Sequence, residues 1–497
     1  MEKSYWIASG IDNKTSYPKL EQDLESEICI IGGGLTGLSC AYYLTKKGFK
    51  VTILEKDKIG NHTSGNTTAK ITSQHGLFYD YLIQSVGKEQ ARQYLYANEQ
   101  AIHNIQEIIE KEKINCEFEK QDAYIFTQEE KEVENIKKEV KAVNSLGFHS
   151  EFVEEIELPI SIKGGIRFPN QAQFNPYLYM LGLAQKIIEN GGKIYEDTKV
   201  MDVKKQNEDY EILTENARVT SRYVIIASHY PFLTVPGFYF MKMYQETSYI
   251  IAVEDKNKTK FEGMYINVEK PTLSVRRTEK GLILIGGSEH KTGEKIDLKN
   301  AYLNLENKAK QLFPEATVKY RWNTQDCISL DKIPYIGEFS KWMPNVYVAT
   351  GYKKWGMTTS NVAANILVDK IIEKENPYQE VFRSTRLEPI KNYQELTNMT
   401  KEVTQSFLIE KLKKPDTYVK NMRKEEGKII EINGQKVGAY CDMEGRFHFV
   451  KPICTHLGCE LTWNNLDKTW DCPCHGSRFD YDGKSIYDPS IKNLEKL

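Results

Sequence analysis

The stretch from Glu27 to Leu54 leaves this chain few folds to choose from. Glu27–Ile31 is a short apolar run, Gly32–Gly37 is a glycine-rich turn opening a helix to about Lys47, and Lys50–Leu54 is a second apolar run. Gly48 caps the helix between them. Apolar runs of strand length, separated by one helix, specify a β-α-β unit in a parallel sheet. Gly32, Gly34 and Gly37 form G-x-G-x-x-G. That spacing serves a tight turn, close approach of backbone to a pyrophosphate, and close packing of helix on strand. The helix N-terminus offers phosphate its free N–H groups and the positive end of its dipole. Glu55 follows Gly34 by 21 residues, the place of a carboxylate that holds a ribose hydroxyl. A dinucleotide on Gly32, Gly34, Gly37 and Glu55 is therefore expected, with a ligand-free glycine turn as the alternative. Gly164-Gly165, Gly191-Gly192 and Gly286-Gly287 each lack the rest of the fingerprint. A single site favours resident FAD over a separate nicotinamide domain.

At 497 residues, the chain predicts about three folding units. Residues 78–145 read as mostly helical, and the alternating charges of Glu129–Lys141 read as a solvated face. A helix over 176–190 ends at Gly191-Gly192, and strands follow at Val200–Val203, Tyr210–Leu213 and Tyr223–Ala227. Strands dominate 240–325 with one helix near 300–312; Asn345–Thr350 is a strand, and a helix spans roughly 357–374. Residues 376–424, with Pro377, Pro389 and Pro415, read as a partly helical connector; short strands and turns begin near 425. Sixty-seven basic against 69 acidic residues, net charge −2, argue against a nucleic-acid partner. No apolar run has membrane-spanning length, so no integral membrane segment is expected. Met1–Ile7 leads straight into polar residues without an export core, so the expected location is cytoplasmic.

Five of the nine cysteines fall in the last 57 residues: Cys441, Cys454, Cys459, Cys472 and Cys474. In a reducing compartment such clustering points to metal or redox chemistry. Cys454 and His456 form C-x-H, Cys472 and His475 form C-x-x-H, and 15 residues lie between His456 and Cys472. Two thiolates and two imidazoles suit structural zinc, but zinc leaves Cys459 and Cys474 unused, and C-x-H is an unusual finger spacing. The pattern resembles a Rieske [2Fe–2S] centre, in which two histidines replace two cysteines on one iron. The resemblance covers about residues 425–497. It implies Cys454 and Cys472 on one iron and His456 and His475 on the other. It also implies a Cys459–Cys474 disulfide tying the ligand loops, as in the subgroup found in cytochrome bc complexes. Ser477 matches a serine that donates to a cluster sulfur, and Asp488–Ser490 resembles the proline loop that shields the cluster. Phe479 stands where that subgroup has a tyrosine donor, so a lower potential is expected.

Residues from about 25 to 375 resemble the D-amino-acid-oxidase-like family of FAD-dependent oxidoreductases. The motifs are the glycine fingerprint, Glu55, Gly60–Ala69, Val200, Ile225–Ala227, Asp331–Gly337 and Gly351–Thr358. The resemblance implies an α/β Rossmann-like FAD-binding domain interleaved with a mixed-sheet α+β substrate domain, then a small all-β Rieske domain. Within residues 1–375 the FAD part takes about 25–80, 160–235 and 328–375, and the substrate part about 81–159 and 236–327. The connector is 376–424 and the Rieske domain 425–497. The same resemblance places Thr63 and Ser64 beside the flavin ring and the backbone around Val200 on the adenine side. It sets Gly351, Gly356, Met357 and Thr358 at a helix N-terminus facing the flavin pyrimidine, where reduced flavin carries negative charge.

Members of this family commonly oxidise C–N bonds of amines or amino acids, and many clamp a carboxylate with arginine. Arg276 and Arg277 are adjacent on a probable strand, so only one can face the site. Lys353 and Lys354 lie in the flavin-proximal turn, His62 in the Ser/Thr-rich loop, and His75 shortly after. Lys353, Lys354, Arg276 and His75 are the catalytic candidates; solvated lysines, a surface ion pair and a plainly hydrogen-bonded histidine are the alternatives. The expected function is oxidation of a small molecule with electrons passing from FAD through the cluster to an external one-electron acceptor. A Rieske potential of about −150 to +300 mV makes the cluster a sink for reduced flavin. An oxidase with a sensory or structural Rieske module and a non-catalytic electron carrier are the alternatives. A reductase fed by NAD(P)H is disfavoured by the missing second fingerprint.

Overall fold

The computed structural model describes residues 3–10, 15–296, 298–386 and 422–497. The β-α-β unit demanded by the glycine turn seeds an eight-stranded sheet. Its order is Tyr335–Glu338, Val346–Thr350, Arg218–Ile226, Leu24–Ile31, Val51–Leu54, Lys193–Tyr195. The hairpin Val200–Gln206/Asp209–Thr214 joins it through Arg218–Ile226. Pairing is parallel from Val346–Thr350 to Lys193–Tyr195, with Ile30 between Ile225 and Ile53. Residues 28–31 and Val51–Leu54 are buried throughout, because both faces of the sheet are covered. Helix Leu35–Lys46 packs against Gly356–Ile371 and Pro176–Glu189 on one face. Val203, Ile212 and Tyr230 cover Cys29, Ile31 and Val224 on the other.

A nine-stranded sheet stands beside it. The order is Ala316–Ser329, Met243–Asp255, Ile283–Lys291, Leu273–Arg277, Met264–Asn267, Glu119–Thr127, Gly164–Gln173, Lys70–Ile71, with Glu151–Val153 also on Gly164–Gln173. Helix Ala301–Leu312 packs Leu305 and Ala309 onto Tyr249, Ile251, Val275 and Ile285 of one face. Ile250, Ala252, Leu284 and Trp322 of the other face join the main core. Two sequence expectations change here. Lys70–Ile71 and Gly164–Gln173, expected in the FAD part, pair with each other in this second sheet, and Gly164–Gln173 pairs on with Glu119–Thr127. Glu119–Thr127 itself interrupts the stretch expected to be mostly helical, between helices Lys88–Glu112 and Glu130–Ser145. Its leading residues Glu119–Asp122 are charged or polar and half-exposed or exposed, so the apolar run is confined to the four residues Ala123–Phe126 between two long helices.

The C-terminal module has two small antiparallel sheets. One holds Gly427–Ile432, Gln435–Cys441 and Phe447–Val450; the other holds Thr462–Asn464, Thr469–Asp471, Arg478–Asp480 and Ser485–Tyr487. Residues 376–386 return to the first sheet, where Asp331 grips the buried Arg386 guanidinium at 2.6 and 2.9 Å. The rest of the expected connector, 387–421, lies outside the described residues. Among the described residues, no helix is long and apolar enough to cross a membrane.

Candidate functional site

Backbone contact at the glycine turn leaves no room for side chains at Gly32 and Gly37. Gly32 has φ +114°, and a Cβ there would stand 2.5 Å from Ala227 O; at Gly37 it would stand 2.0 Å from Gly32 O. At Gly34 the only neighbour is the Ser64 hydroxyl, 3.0 Å away, and Ser64 Oγ accepts from the Leu35 N–H at 3.2 Å. Glu55, nearly buried, accepts from the Gly33 N–H at 2.7 Å and the Asp57 N–H at 2.9 Å. Burial raises its pKa, opposed by His62 and those two donors. One cavity is lined by Gly32, Gly34, Glu55, Thr63, Ser64, Val200, Gly351, Gly356 and Met357. It touches the N-termini of two helices, Leu35–Lys46 and Gly356–Ile371. A glycine cradle continuous with two positive helix ends fits an extended dinucleotide. Gly37 lies behind the cavity, packing helix on strand. Thr358 turns away from it, donating to Thr72 O at 3.2 Å and standing 3.3 Å from His75 Nε2.

Of the four catalytic candidates, only Lys354 lines this cavity. Its ammonium pairs with Glu246 at 3.0 Å. Burial alone would lower its pKa, but Glu246, Glu289 and Asp326 outweigh burial and raise it. Lys353 points elsewhere, its ammonium 4.4 Å from the Phe78 ring centroid, and burial lowers its pKa to about 7. His75 is stacked on Trp355 and holds Tyr94 Oη at 2.7 Å and Thr72 O at 2.8 Å through its two nitrogens. Burial pushes its pKa down to about 3, a neutral packed ring. Arg276 is fully buried over Trp6 and donates to Phe174 O at 3.2 Å. Arg277 faces outward from the same strand, over Phe261.

Among the cavity residues that escaped sequence reasoning, His229 and Asp326 have strongly shifted pKa values. His229 has φ +68°, and its Nε2 is buried without a partner among the described residues. Burial lowers its pKa to about 4. It sits just past the carboxyl end of the central strand Arg218–Ile226, where open α/β sheets place ligands; that position was available as a signal. Asp326, raised to about 6 by burial, lies on a long strand and gave none. His62 lines the cavity too and meets Asp57 at 2.6 Å.

The cysteine–histidine pairs occupy two matching loops of the C-terminal module. In each, a glycine with positive φ turns the chain back: the Gly458 N–H donates to Cys454 O and the Gly476 N–H to Cys472 O, both at 2.9 Å. The Cys459–Cys474 disulfide ties the loops together. Cys454 and Cys472 are buried free thiols within hydrogen-bonding reach of each other. The His456 and His475 rings lie 5.1 Å apart at 88°. Both Nδ1 atoms are buried without a hydrogen-bond partner among the described residues. Buried nitrogens are seldom left orphaned in a folded core. Two such nitrogens beside two thiols, with the other two cysteines of these loops joined in the disulfide, fit a two-iron cluster with mixed ligands.

The two sites meet across one interface. Gln245 donates to His475 O and Asp488 O, each at 2.8 Å. Gln325 donates to Gly476 O at 2.6 Å, while its own carbonyl accepts from the Thr63 hydroxyl at 2.8 Å. Arg478, fully buried, pairs with Asp467 at 2.6 Å and Asp471 at 3.0 Å and reaches Asn323 at 3.3 Å. Thr234 and Phe240 of the larger part cover the histidine edge, Thr234 Oγ1 lying 3.3 Å from His456 Nε2.

Comparison with known proteins matches both parts of the chain. Residues 27–370 match the FAD dependent oxidoreductase family, and 413–497 match the Rieske [2Fe-2S] domain. YhfW of Bacillus subtilis, described as a Rieske 2Fe-2S iron-sulfur protein, is 40% identical over 500 residues, covering 100% of this chain and 97% of its own. The Escherichia coli gamma-glutamylputrescine oxidoreductase is 23% identical over 74% of this chain and 88% of its own. The fold is that of glycine oxidase from Geobacillus kaustophilus, with TM-score 0.64 and 18% identity over 73% of this chain and 99% of that one. The cofactors that go with these two modules are FAD and a [2Fe–2S] cluster. The chain thus belongs to the FAD-dependent oxidoreductase family and carries a C-terminal Rieske [2Fe–2S] domain.

Proposed function

We propose that this enzyme oxidises a C–N bond of a small amine or amino-acid-like substrate and delivers the electrons, through its own cluster, to an external one-electron acceptor. In this reading Gly32, Gly34, Glu55, Thr63, Ser64, Val200, Gly351, Gly356 and Met357 hold FAD, with Gly37 seating the helix. Cys454, Cys472, His456 and His475 hold the cluster. FAD supplies two-electron oxidation and the cluster one-electron transfer. The chain's own contribution is placement. The N-terminus of Gly356–Ile371 puts the positive end of its dipole at the flavin-proximal turn, beside Lys354 held by Glu246. Buried apolar walls around Met357 and Ala349 keep water from it.

The observation that carries this reading is Gln325, a single residue hydrogen-bonded to the cofactor loop through Thr63 and to the cluster loop through Gly476. An acceptor has an apolar landing place nearby. Leu457 neighbours His456 in the chain, Val235 neighbours Thr234 and Met241 neighbours Phe240, and all three expose their side chains. The gamma-glutamylputrescine oxidoreductase likeness supports an amine-type substrate. The test is anaerobic addition of amines and amino acids to the cluster-loaded protein. Flavin bleaching followed by the signal of the reduced cluster is expected. A flavin fully reduced beside a cluster that stays oxidised sinks the relay.

A further inference from the structure

The loops bearing Glu55 and Val200 each carry a lysine that reaches into the C-terminal module. Lys56 Nζ donates to Ile486 O and to Asp488 Oδ1, each at 3.2 Å. Lys199 Nζ donates to Ile491 O at 2.5 Å. From the same rim, His62 meets the buried Tyr487 ring edge-to-face, centroids 5.5 Å apart. Tyr487, Asp488 and Ile491 line the very cavity that Glu55 and Val200 line. The residues flanking the expected adenosine contacts therefore hold the Rieske segment 486–491 as its outer wall.

We propose that this Rieske segment is part of the FAD-binding site, closing the end of the cavity that takes the adenosine half of the cofactor. The proposal rests on the dinucleotide placement given above. Tyr487 and Ile491 supply apolar surface that excludes water, and Asp488 pairs with the Lys56 ammonium on the cavity wall at 3.2 Å. A ligand touching both modules is bound more tightly when they are docked, and by reciprocity it holds them docked by the same factor. FAD retention and seating of the cluster module are then one coupled equilibrium. A chain that has lost its flavin holds its cluster module more loosely, and departure of FAD requires the module to lift.

The experiment uses the full chain with its cluster loaded. FAD affinity and dissociation rate are read from flavin fluorescence for the parent, for Tyr487→Leu/Asp488→Asn, and for Lys451→Ala. Lys451 lies in the same module, pairs with exposed Glu495 and does not line the cavity. The double variant is expected to weaken FAD by tenfold or more with most of the change in the off-rate, and Lys451→Ala to match the parent. FAD bound within twofold of the parent by a cluster-loaded double variant overturns the proposal. Hydrogen exchange on the parent gives a reading that no folding defect can blur. FAD should slow exchange in peptides covering 485–492 as well as 32–37. Protection at 32–37 alone refutes the Rieske contribution while leaving the dinucleotide placement intact; protection at neither removes both.

Discussion

Gln245→Leu tests how the cluster module is held. Gln245 is buried, and its amide donates to two carbonyls, of His475 beside the cluster and of Asp488 beside the cofactor cavity. Leucine keeps the bulk and removes both donors. A buried acceptor stripped of its partner costs about 1–3 kcal/mol, so the pair costs about 2–6 kcal/mol. Taking about 3 kcal/mol, the ratio of docked to undocked module falls about 100-fold, at about 1.4 kcal/mol per decade. The assay is light-driven reduction of the flavin by a sacrificial donor without oxygen, with cluster reduction followed optically. With FAD in excess to keep the site filled, the variant should hold its iron content while the cluster is reduced at least tenfold more slowly. A rate within twofold of the parent refutes the idea that these hydrogen bonds set the geometry of transfer.

Three further outcomes are expected. Phe479, fully buried beside Cys454 and Cys472, offers no hydroxyl to a cluster sulfur; Phe479→Tyr adds a donor of about 1–1.5 kcal/mol, which raises a one-electron potential by about 40–60 mV in a redox titration. Cys459→Ser opens a bridge spanning 15 residues, lowering stability of the module by about 3 kcal/mol and its iron content with it, as unfolding and iron analysis will report. Lys353 has its pKa lowered to about 7 by burial, below an unfolded value of about 10.4, so the unfolded chain binds more protons between those limits and stability rises with pH from 7 to 10. Lys353→Met should flatten that rise by up to about 1.4 kcal/mol per pH unit in denaturant unfolding at pH 7, 8 and 9, leaving the share of similarly depressed Lys70; an unchanged slope contradicts it.

What the sequence made legible was chemistry carried by local spacing. Gly32, Gly34 and Gly37 lie within one turn; at Gly32 and Gly37 the contacts at fault for any larger residue are with Ala227 and Gly32 backbone, and at Gly34 with the Ser64 hydroxyl. Cys454, His456, Cys472 and His475 sit on two short loops whose turns repeat each other. Facing is another matter. His75, Lys353 and Arg276 have the right chemistry for a site, but packing on Trp355, Phe78 and Trp6 turns them from the cavity. Sheet membership was equally hidden, since Lys70–Ile71 is too short to show a period and its partner Gly164–Gln173 lies about a hundred residues on. Lys56 and Asp488 are 432 positions apart, and no local pattern joins them.

The claim beneath all of this is that flavin and cluster exchange electrons within one chain. The direct measurement is the rate of cluster reduction after anaerobic photoreduction of the flavin, over a dilution series of the holoprotein. A first-order rate independent of protein concentration is predicted. A cluster that remains oxidised, or a rate that falls in proportion to dilution, contradicts the account.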